Sequence, residues 1–438
     1  MRTTTHFVRR SAYAAALALL VTGVASVPAL AAGTTPTTLA PSDGVGGDLF
    51  GESVATSTTG AVTAVGSPEH NSSGAVYVFT GTGTKFSQNA ELTPSNPQAD
   101  EQFGQTVSIS GNGETLVASA PGASGTSGSD QGAVYVFSDA SGTWTQIAEL
   151  TAAGTSELGT SLAISSDAST IVAGAPDSNS DAGEAFVFTQ SGSTYVETQK
   201  LTEPTTTSST DTAATVLTRA GSAAPAAKKP KPTPTPAPTF PAQLGANTAI
   251  SSNGSTIAFG EPEVGVTDVF TKAAGASTWT QTAQLHGGGD SVAVSSSGTI
   301  VAAGQTGINN LNGAVFVFTE SGSTFTTASE VLPPANTTNA AFGAGANIGM
   351  SSDGSVIAFG APTATAGSAF ESGEVFVATE TNGTWALTGT DTEANPVSDD
   401  DLGGGDQSVA VAGNGSAIVA GARAANGQTG QVEVFPVS

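Results

Sequence analysis

Phe103-Gly104-Gln105-Thr106-Val107-Ser108-Ile109-Ser110-Gly111-Asn112-Gly113 is followed by Thr115-Leu116-Val117-Ala118-Ser119-Ala120-Pro121. After a loop to Gln131 comes Gly132-Ala133-Val134-Tyr135-Val136-Phe137. A turn at Ser141-Gly142 then opens a fourth run, Thr143 to Thr151, carrying Trp144 and Ile147. Period-two runs separated by Gly and Asn turns signal antiparallel hairpins. The unit therefore reads as a four-stranded meander, with Phe103 to Ser110 as its first strand and Pro121 closing its second.

The pattern recurs along the chain. Clear copies of the closing motif are Ser119-Ala120-Pro121, Gly174-Ala175-Pro176 and Gly360-Ala361-Pro362, and worn ones begin at Gly66, Gly260, Gly304 and Gly421. Upstream of most copies stands an apolar residue followed by Gly: Phe50-Gly51, Phe103-Gly104, Leu158-Gly159, Leu244-Gly245, Phe342-Gly343 and Leu402-Gly403. Self-similarity at a period near fifty residues indicates a repeat architecture. Phe50 to Phe103 spans 53 residues and Phe103 to Leu158 spans 55, but Leu158 to Leu244 spans 86. The excess is the Pro/Thr/Lys-rich stretch 203–242, in which Pro recurs at alternate positions. Such a chain is extended and solvated, so it reads as a disordered insertion between units three and four.

The last unit ends on a third strand, Val432-Glu433-Val434-Phe435. Thr38-Leu39-Ala40-Pro41 mimics Glu91-Leu92-Thr93-Pro94, the end of a fourth strand. An N-terminal strand can thus complete the last unit and remove the open edge. The expected fold is all-β: a seven-bladed β-propeller of four-stranded antiparallel blades over 37–438, closed by an N-terminal strand. The paired motifs at near-regular positions resemble the FG-GAP repeats of integrin α-subunit propellers and of bacterial secreted proteins, over about Leu39 to Phe435.

Residues 1–31 read as an export signal. Arg2, Arg9 and Arg10 precede the apolar run Ala14 to Val21, and Ala29-Leu30-Ala31 fits small-x-small cleavage between Ala31 and Ala32. Its removal leaves 8 basic against 36 acidic residues. Nucleic-acid binding rests on Lys and Arg neutralising phosphates, so this balance argues against it. No other apolar run reaches the ~20 residues of a membrane span. Cysteine is absent, which excludes disulfides and thiol chemistry. A secreted, acidic monomer is expected.

Phe50, Gly51, Phe103, Gly104, Phe342 and Gly343, with Gly174-Ala175-Pro176 and Gly360-Ala361-Pro362, read as structural. The small residues let inner strands approach a crowded axis, the Phe rings pack between blades and Pro ends the second strand. Trp144, Trp279 and Trp385 read as blade-to-blade packing. The family resemblance implies calcium cages between the first and second strands. Here those loops are Ser110-Gly111-Asn112-Gly113, Ser165-Ser166-Asp167-Ala168, Ser251-Ser252-Asn253-Gly254 and Ser351-Ser352-Asp353-Gly354. Each offers at most one carboxylate, too few for calcium, and reads as a tight turn. The remaining calcium candidate is Asp177, Asn179 and Asp181, on the loop between second and third strands. Phe188 stands where a twelfth-position Glu would complete it, so a polar turn is the favoured reading and no cofactor is expected.

Only His70 and His286 follow the signal, and neither sits in a recognisable catalytic or metal-ligand spacing. Asp100-Glu101 and Asp399-Asp400-Asp401 could supply an acid/base pair for glycan cleavage, but read more simply as solvated loop charges. The loops between second and third strands vary in length, as do the connections between units, and both emerge on one face of a meander. Binding residues concentrate on loops held by a rigid scaffold. The expectation is a non-catalytic binding or adhesion module recognising an extracellular protein or glycan through that face. A polysaccharide-acting enzyme and a structural envelope component are the alternatives.

Overall fold

The computed structural model describes residues 36–125, 130–139, 142–203, 243–309, 312–322, 324–334, 341–343, 348–393 and 395–437. The signal reading, with Ala31 and Ala32, lies outside the described residues. So does the insertion, apart from Glu203.

Seven four-stranded antiparallel sheets form the ring. Blade 2 comprises Val107–Ile109, Thr115–Ala120, Ala133–Ser138 and Thr145–Leu150. In blade 7, Val409–Val411, Ala417–Ala422 and Gln431–Pro436 are completed by Thr37–Leu39. The register there is Thr37↔Val434 and Leu39↔Val432, and the hydroxyl of Thr38 donates to Glu433 Oε1 at 2.9 Å. The N-terminal strand thus closes the ring as its sequence indicated. In the other six blades the pairing of third with fourth strand shifts by one residue at the same place, as at Val187/Phe188. The extra residue is a bulge that increases twist, and in three blades it is a Thr (Thr198, Thr282, Thr388) whose hydroxyl donates to the facing carbonyl.

The core is divided into seven clusters, one per blade interface. Val134 and Val136 on one face of a third strand pack against blade 3, whereas Tyr135 and Phe137 on the other face pack against blade 1. The alternation in Ala-Val-Tyr-Val-Phe is therefore a two-sided burial pattern, aliphatic toward the next blade and aromatic toward the previous one. Phe103 is fully buried among blade 1 residues and meets Tyr135 edge-on at 5.6 Å. Phe50 and Tyr77 make the same pair at 5.5 Å, and Trp279 packs into the interface of blades 3 and 4.

Two sequence expectations need correction. The first strand is only three residues long in blade 2: Phe103 stands outside it, making a single parallel bridge to Gly74. The motif glycines do not serve the axis. A Cβ on Gly66 would lie 2.0 Å from Gly104 O, and one on Gly174 would lie 2.0 Å from Gly245 O. Gly66, Gly174, Gly304, Gly360 and Gly421 thus abut the Phe-Gly or Leu-Gly of the next blade, and Gly260 abuts Gly289 in its place, so the two motifs are halves of one blade-to-blade joint. Crowding at the axis is met instead by the middle residue of each first strand: Ala55, Ser108, Ala163, Ala249, Ala293, Gly349 and Ala410. The turns between first and second strands are tight, as expected. Asn112, Asp167, Asn253 and Asp353 each accept from the Ser two residues earlier at 2.7 Å.

Candidate functional site

Three places combine space or polar groups with access, and they differ in chemistry. The axial channel, about 230 Å³, is lined by the first strands. Among the described residues its walls are mostly apolar, with Thr56, Ser108, Thr248, Asn247 and Gln407 as polar members and no ionisable group.

The second place lies on the variable-loop face. A cavity of about 710 Å³ opens between the connection from blade 6 to blade 7 (Val397 to Asp400), the second-to-third loop of blade 7 (Asn426 to Gln428) and Glu433. Asn426, Gly427 and Gln428 all have φ between +55° and +70°, which turns this loop sharply over the opening. Asp399 N donates to Phe370 O at 3.0 Å and Phe370 N donates to Ser398 Oγ at 3.1 Å, pinning two loops together. Phe370 and Val397 remain 59% and 61% exposed. Asp400 is buried and accepts from Val397 N at 2.8 Å. Burial, then the neighbouring Asp400, push the Glu393 carboxyl well above its ordinary range. Asp401 accepts from Arg423 Nε at 2.9 Å, and Arg423 also donates to Glu52 at 2.9 and 3.1 Å. Burial and Asp406 raise Glu52 to about 7 despite that cation.

The third place is around His70. Its Nδ1 is 2.9 Å from Asp48 Oδ2, and its Nε2 is 3.8 Å from both Asp43 Oδ2 and Glu91 Oε1. Asn71 Nδ2 lies 2.7 Å from Nε2, and the Tyr77 hydroxyl donates to Asp43 at 2.9 Å. The cluster ties the segment after the N-terminal strand to blade 1. Its residues come from separate stretches of chain with no informative spacing, so nothing in their order along the chain marks it.

The calcium candidate takes a different form from a cage. Ser178–Asp181 is a single turn in which Asn179, Ser180 and Asp181 all have positive φ. Asp177, Asn179 and Asp181 are exposed, and Asp177 faces Glu157, whose carboxyl is raised by burial and then by that neighbour. Among the described residues, the two groups of three His, Asp or Glu side chains close enough to share an ion lie elsewhere: Asp43, His70 and Glu91, and Glu203, Glu261 and Asp268. The acid/base candidates are also corrected. Glu101 is fully buried beneath Tyr135, whose hydroxyl lies 3.4 Å from Glu101 Oε2, and Asp400 is buried as described; neither is a solvated loop charge. Positive φ at Asp100 and Gln102, and at Asp399 and Asp401, turns the intervening carboxylate inward.

The family model of the FG-GAP repeat matches residues 34–79 and 86–137. The two matches cover the first two blade joints, and the same joint recurs around the ring. The chain is a β-propeller that carries FG-GAP repeats. Each match runs from a fourth strand to the third strand of the next blade, so the FG-GAP unit straddles two blades and its ends coincide with the closure at Thr37–Leu39. No curated protein matches this FG-GAP propeller significantly. Among solved structures it is similar to a "putative 6-phosphogluconolactonase" from Bacteroides uniformis, at 14% identity over 87% of this chain and 90% of that one, with a TM-score of 0.52. It is similar also to the Cps50 (Swd1) β-propeller domain of Myceliophteria thermophila, at 10% identity over 92% and 100%, TM-score 0.54. A chain of the Mitotic Checkpoint Complex matches at 12% identity over 92% and 95%, TM-score 0.52. These likenesses concern the fold. Among the described residues no helix is long and apolar enough to cross a membrane.

Proposed function

We propose that this FG-GAP propeller is an exported, non-catalytic binding module that holds a protein or glycan partner on its variable-loop face, centred on the cavity between blades 6 and 7. The observation carrying this reading is where large apolar side chains meet solvent. Val45, Val264, Leu332, Phe370 and Val397 are exposed on loops of that face, whereas Ile147 and Val196 lie on outer strands. Of these, Phe370 and Val397 lie on loops tied together through Phe370 N and Ser398 Oγ, and adjoining apolar groups rimmed by polar residues mark a partner surface. Phe370 and Val397 flank a cavity whose rim offers Asn, Ser, Gln and Asp side chains, a set suited to hydroxyl-rich or amide-rich ligands. The channel's lack of ionisable groups and the burial of Glu101 and Asp400 support a non-catalytic reading. The basic, apolar, small-x-small order of residues 1–31 supports export.

The test is binding of protein lacking residues 1–31 to glycan and matrix-protein arrays, with a panel of polysaccharides assayed for turnover. Phe370→Ser/Val397→Ser should weaken the retained ligand roughly tenfold, as loss of an interface anchor does, while Ile147→Ser leaves it unchanged. Equal loss in both variants would remove the site. Polysaccharide turnover abolished by Asp399→Asn would replace the reading with an enzymatic one.

A further inference from the structure

Internal repetition supplies seven versions of one interface, so a departure in one can be judged against the others. One third-strand position, fixed by register, holds Tyr77, Tyr135, Phe186, Phe316 and Phe376 in five blades, but Asp268 in blade 4 and Glu433 in blade 7. It faces the residue two positions after Leu39, Leu92, Leu150, Leu201, Leu285, Val331 or Asp391 at the close of the preceding fourth strand. A Cβ on Gly287 would touch the Phe316 ring at 3.3 Å, and Ala152 packs in one cluster with Phe186. That second position is Pro41, Pro94, Ala152, Gly287 or Pro333 before the five aromatics, but Glu203 before Asp268 and Glu393 before Glu433. An aromatic-on-small pair is thus exchanged for an acid-on-acid pair twice, each time on both sides at once.

Blade 4 departs at a third position. Glu261 replaces the Ala of the closing motif, which is Ala120, Ala175, Ala361 and Ala422 in other blades. Glu203, Glu261 and Asp268 bring three carboxylate oxygens within 4.8 Å of one another. Glu261 is 1% exposed and Asp268 is 0% exposed. Glu203 Oε1, Glu261 Oε1 and Asp268 Oδ2 are buried without a hydrogen-bond partner among the described residues.

We propose that Glu203, Glu261 and Asp268 hold a divalent hard cation of the calcium class between blades 3 and 4. Three buried acceptors pointing together carry a large desolvation and repulsion cost unless something positive is shared. A shared proton satisfies one pair and leaves the third oxygen orphaned, whereas one cation satisfies all three. Oxygens at 2.3–2.6 Å from one ion lie within about 5 Å of each other, which matches the observed spread, and an all-oxygen carboxylate set selects a hard ion. Burial, then contact with Glu203, push both Glu261 and Asp268 well above the ordinary carboxylate range in the absence of an ion, in keeping with a site that needs compensation. At the blade 6–7 counterpart Glu433 Oε1 accepts from Thr38, while both Glu393 oxygens and Glu433 Oε2 also lack a partner among the described residues. No three acidic side chains there bring oxygens within 4.8 Å of one another among the described residues, so the proposal is confined to blades 3 and 4. The ion would clamp these blades where the covalent connection between them, Glu203 to Leu244, is longest.

The experiment compares the full chain, stripped with EGTA, with a variant that restores the residues of other blades, Glu203→Ala/Glu261→Ala/Asp268→Phe. Isothermal titration with calcium chloride should give one more bound equivalent in the wild type than in this variant. The wild-type melting temperature should rise by several degrees in 1 mM calcium, with that rise lost in the variant. Asp177→Ala/Asp181→Ala should retain both effects. Glu203→Gln provides a second check should the triple variant fail to fold: it should weaken calcium at least tenfold. Equal stoichiometry in wild type and variant, an unchanged affinity in Glu203→Gln, or no calcium binding by the wild type would overturn the proposal.

Discussion

At the residue scale the FG-GAP motif is explained by a clearance. Where the closing-motif Gly of one blade meets the Gly carbonyl of the next, no Cβ fits: the gap at Gly174 is 2.0 Å to Gly245 O. Gly174→Ala should therefore cost about 3 kcal/mol or more through forced backbone separation. Gly192 sits in open space at φ +64°, so Gly192→Ala should cost only about 1 kcal/mol for the left-handed conformation. Urea denaturation of both variants measures the contrast. Equal costs would remove the joint as the reason for the motif. Ser119 shows how a blade escapes the rule: its hydroxyl is engaged by Thr106 at 2.7 Å within the same blade.

At the element scale the closing strand is the vulnerable part. Leu39 is 3% exposed and packs in the cluster joining blades 7 and 1. Leu39→Ala should cost about 2–4 kcal/mol, and deletion through Ala40 should leave Gln431–Pro436 as an open edge that promotes association. Denaturant titration and light scattering check the two outcomes. This closure was legible because Thr38-Leu39-Ala40-Pro41 copies an internal sequence. The seven interfaces were legible in outline from the alternation of Val with Tyr or Phe. The acid substitutions were less so. Asp268 and Glu433 reveal themselves only once register aligns them with Tyr77, and Glu261 only once it is set beside Ala175. His70 with Asp43, Asp48 and Glu91 was illegible, because tertiary closure alone brings these segments together. The inward turn of Glu101 and Asp400 depends on positive φ at flanking Asp and Gln residues, and no composition rule for loops anticipates that.

At the scale of the whole molecule, the buried acids predict an unusual pH response. Glu52, Glu261, Asp268 and Glu393 all have raised folded values, above the ~4 of an unfolded carboxylate. The native state therefore holds these protons more tightly than the unfolded chain, and stability falls as pH rises above ~4 and keeps falling through about 7 for Glu52, about 8 for Asp268 and Glu393 and about 10 for Glu261. Asp353 is lowered by hydrogen bonds from Ser351 and Ser355, and Asp167 by bonds from Ser165 and Ser169 that outweigh its burial. Their contribution is present above pH ~4 and is lost as pH falls further. Calorimetry in EGTA should place the highest melting temperature near pH 5, declining by pH 8. An optimum above pH 7 would contradict the burial of these acids.

The pairing of Thr37 with Val434 has a consequence for how the ring can be cut. The two strand ends lie where the other blades connect their third and fourth strands, by the two-residue turn at Gly192 in blade 3 and by residues 272–279 in blade 4. A few residues joining position 437 to position 36 would make the polypeptide a covalent circle of seven equivalent segments. New ends opened at Gly192 would then give a permuted protein that starts in the fourth strand of blade 3 and still folds, since where the chain is interrupted matters less than that each joint is made.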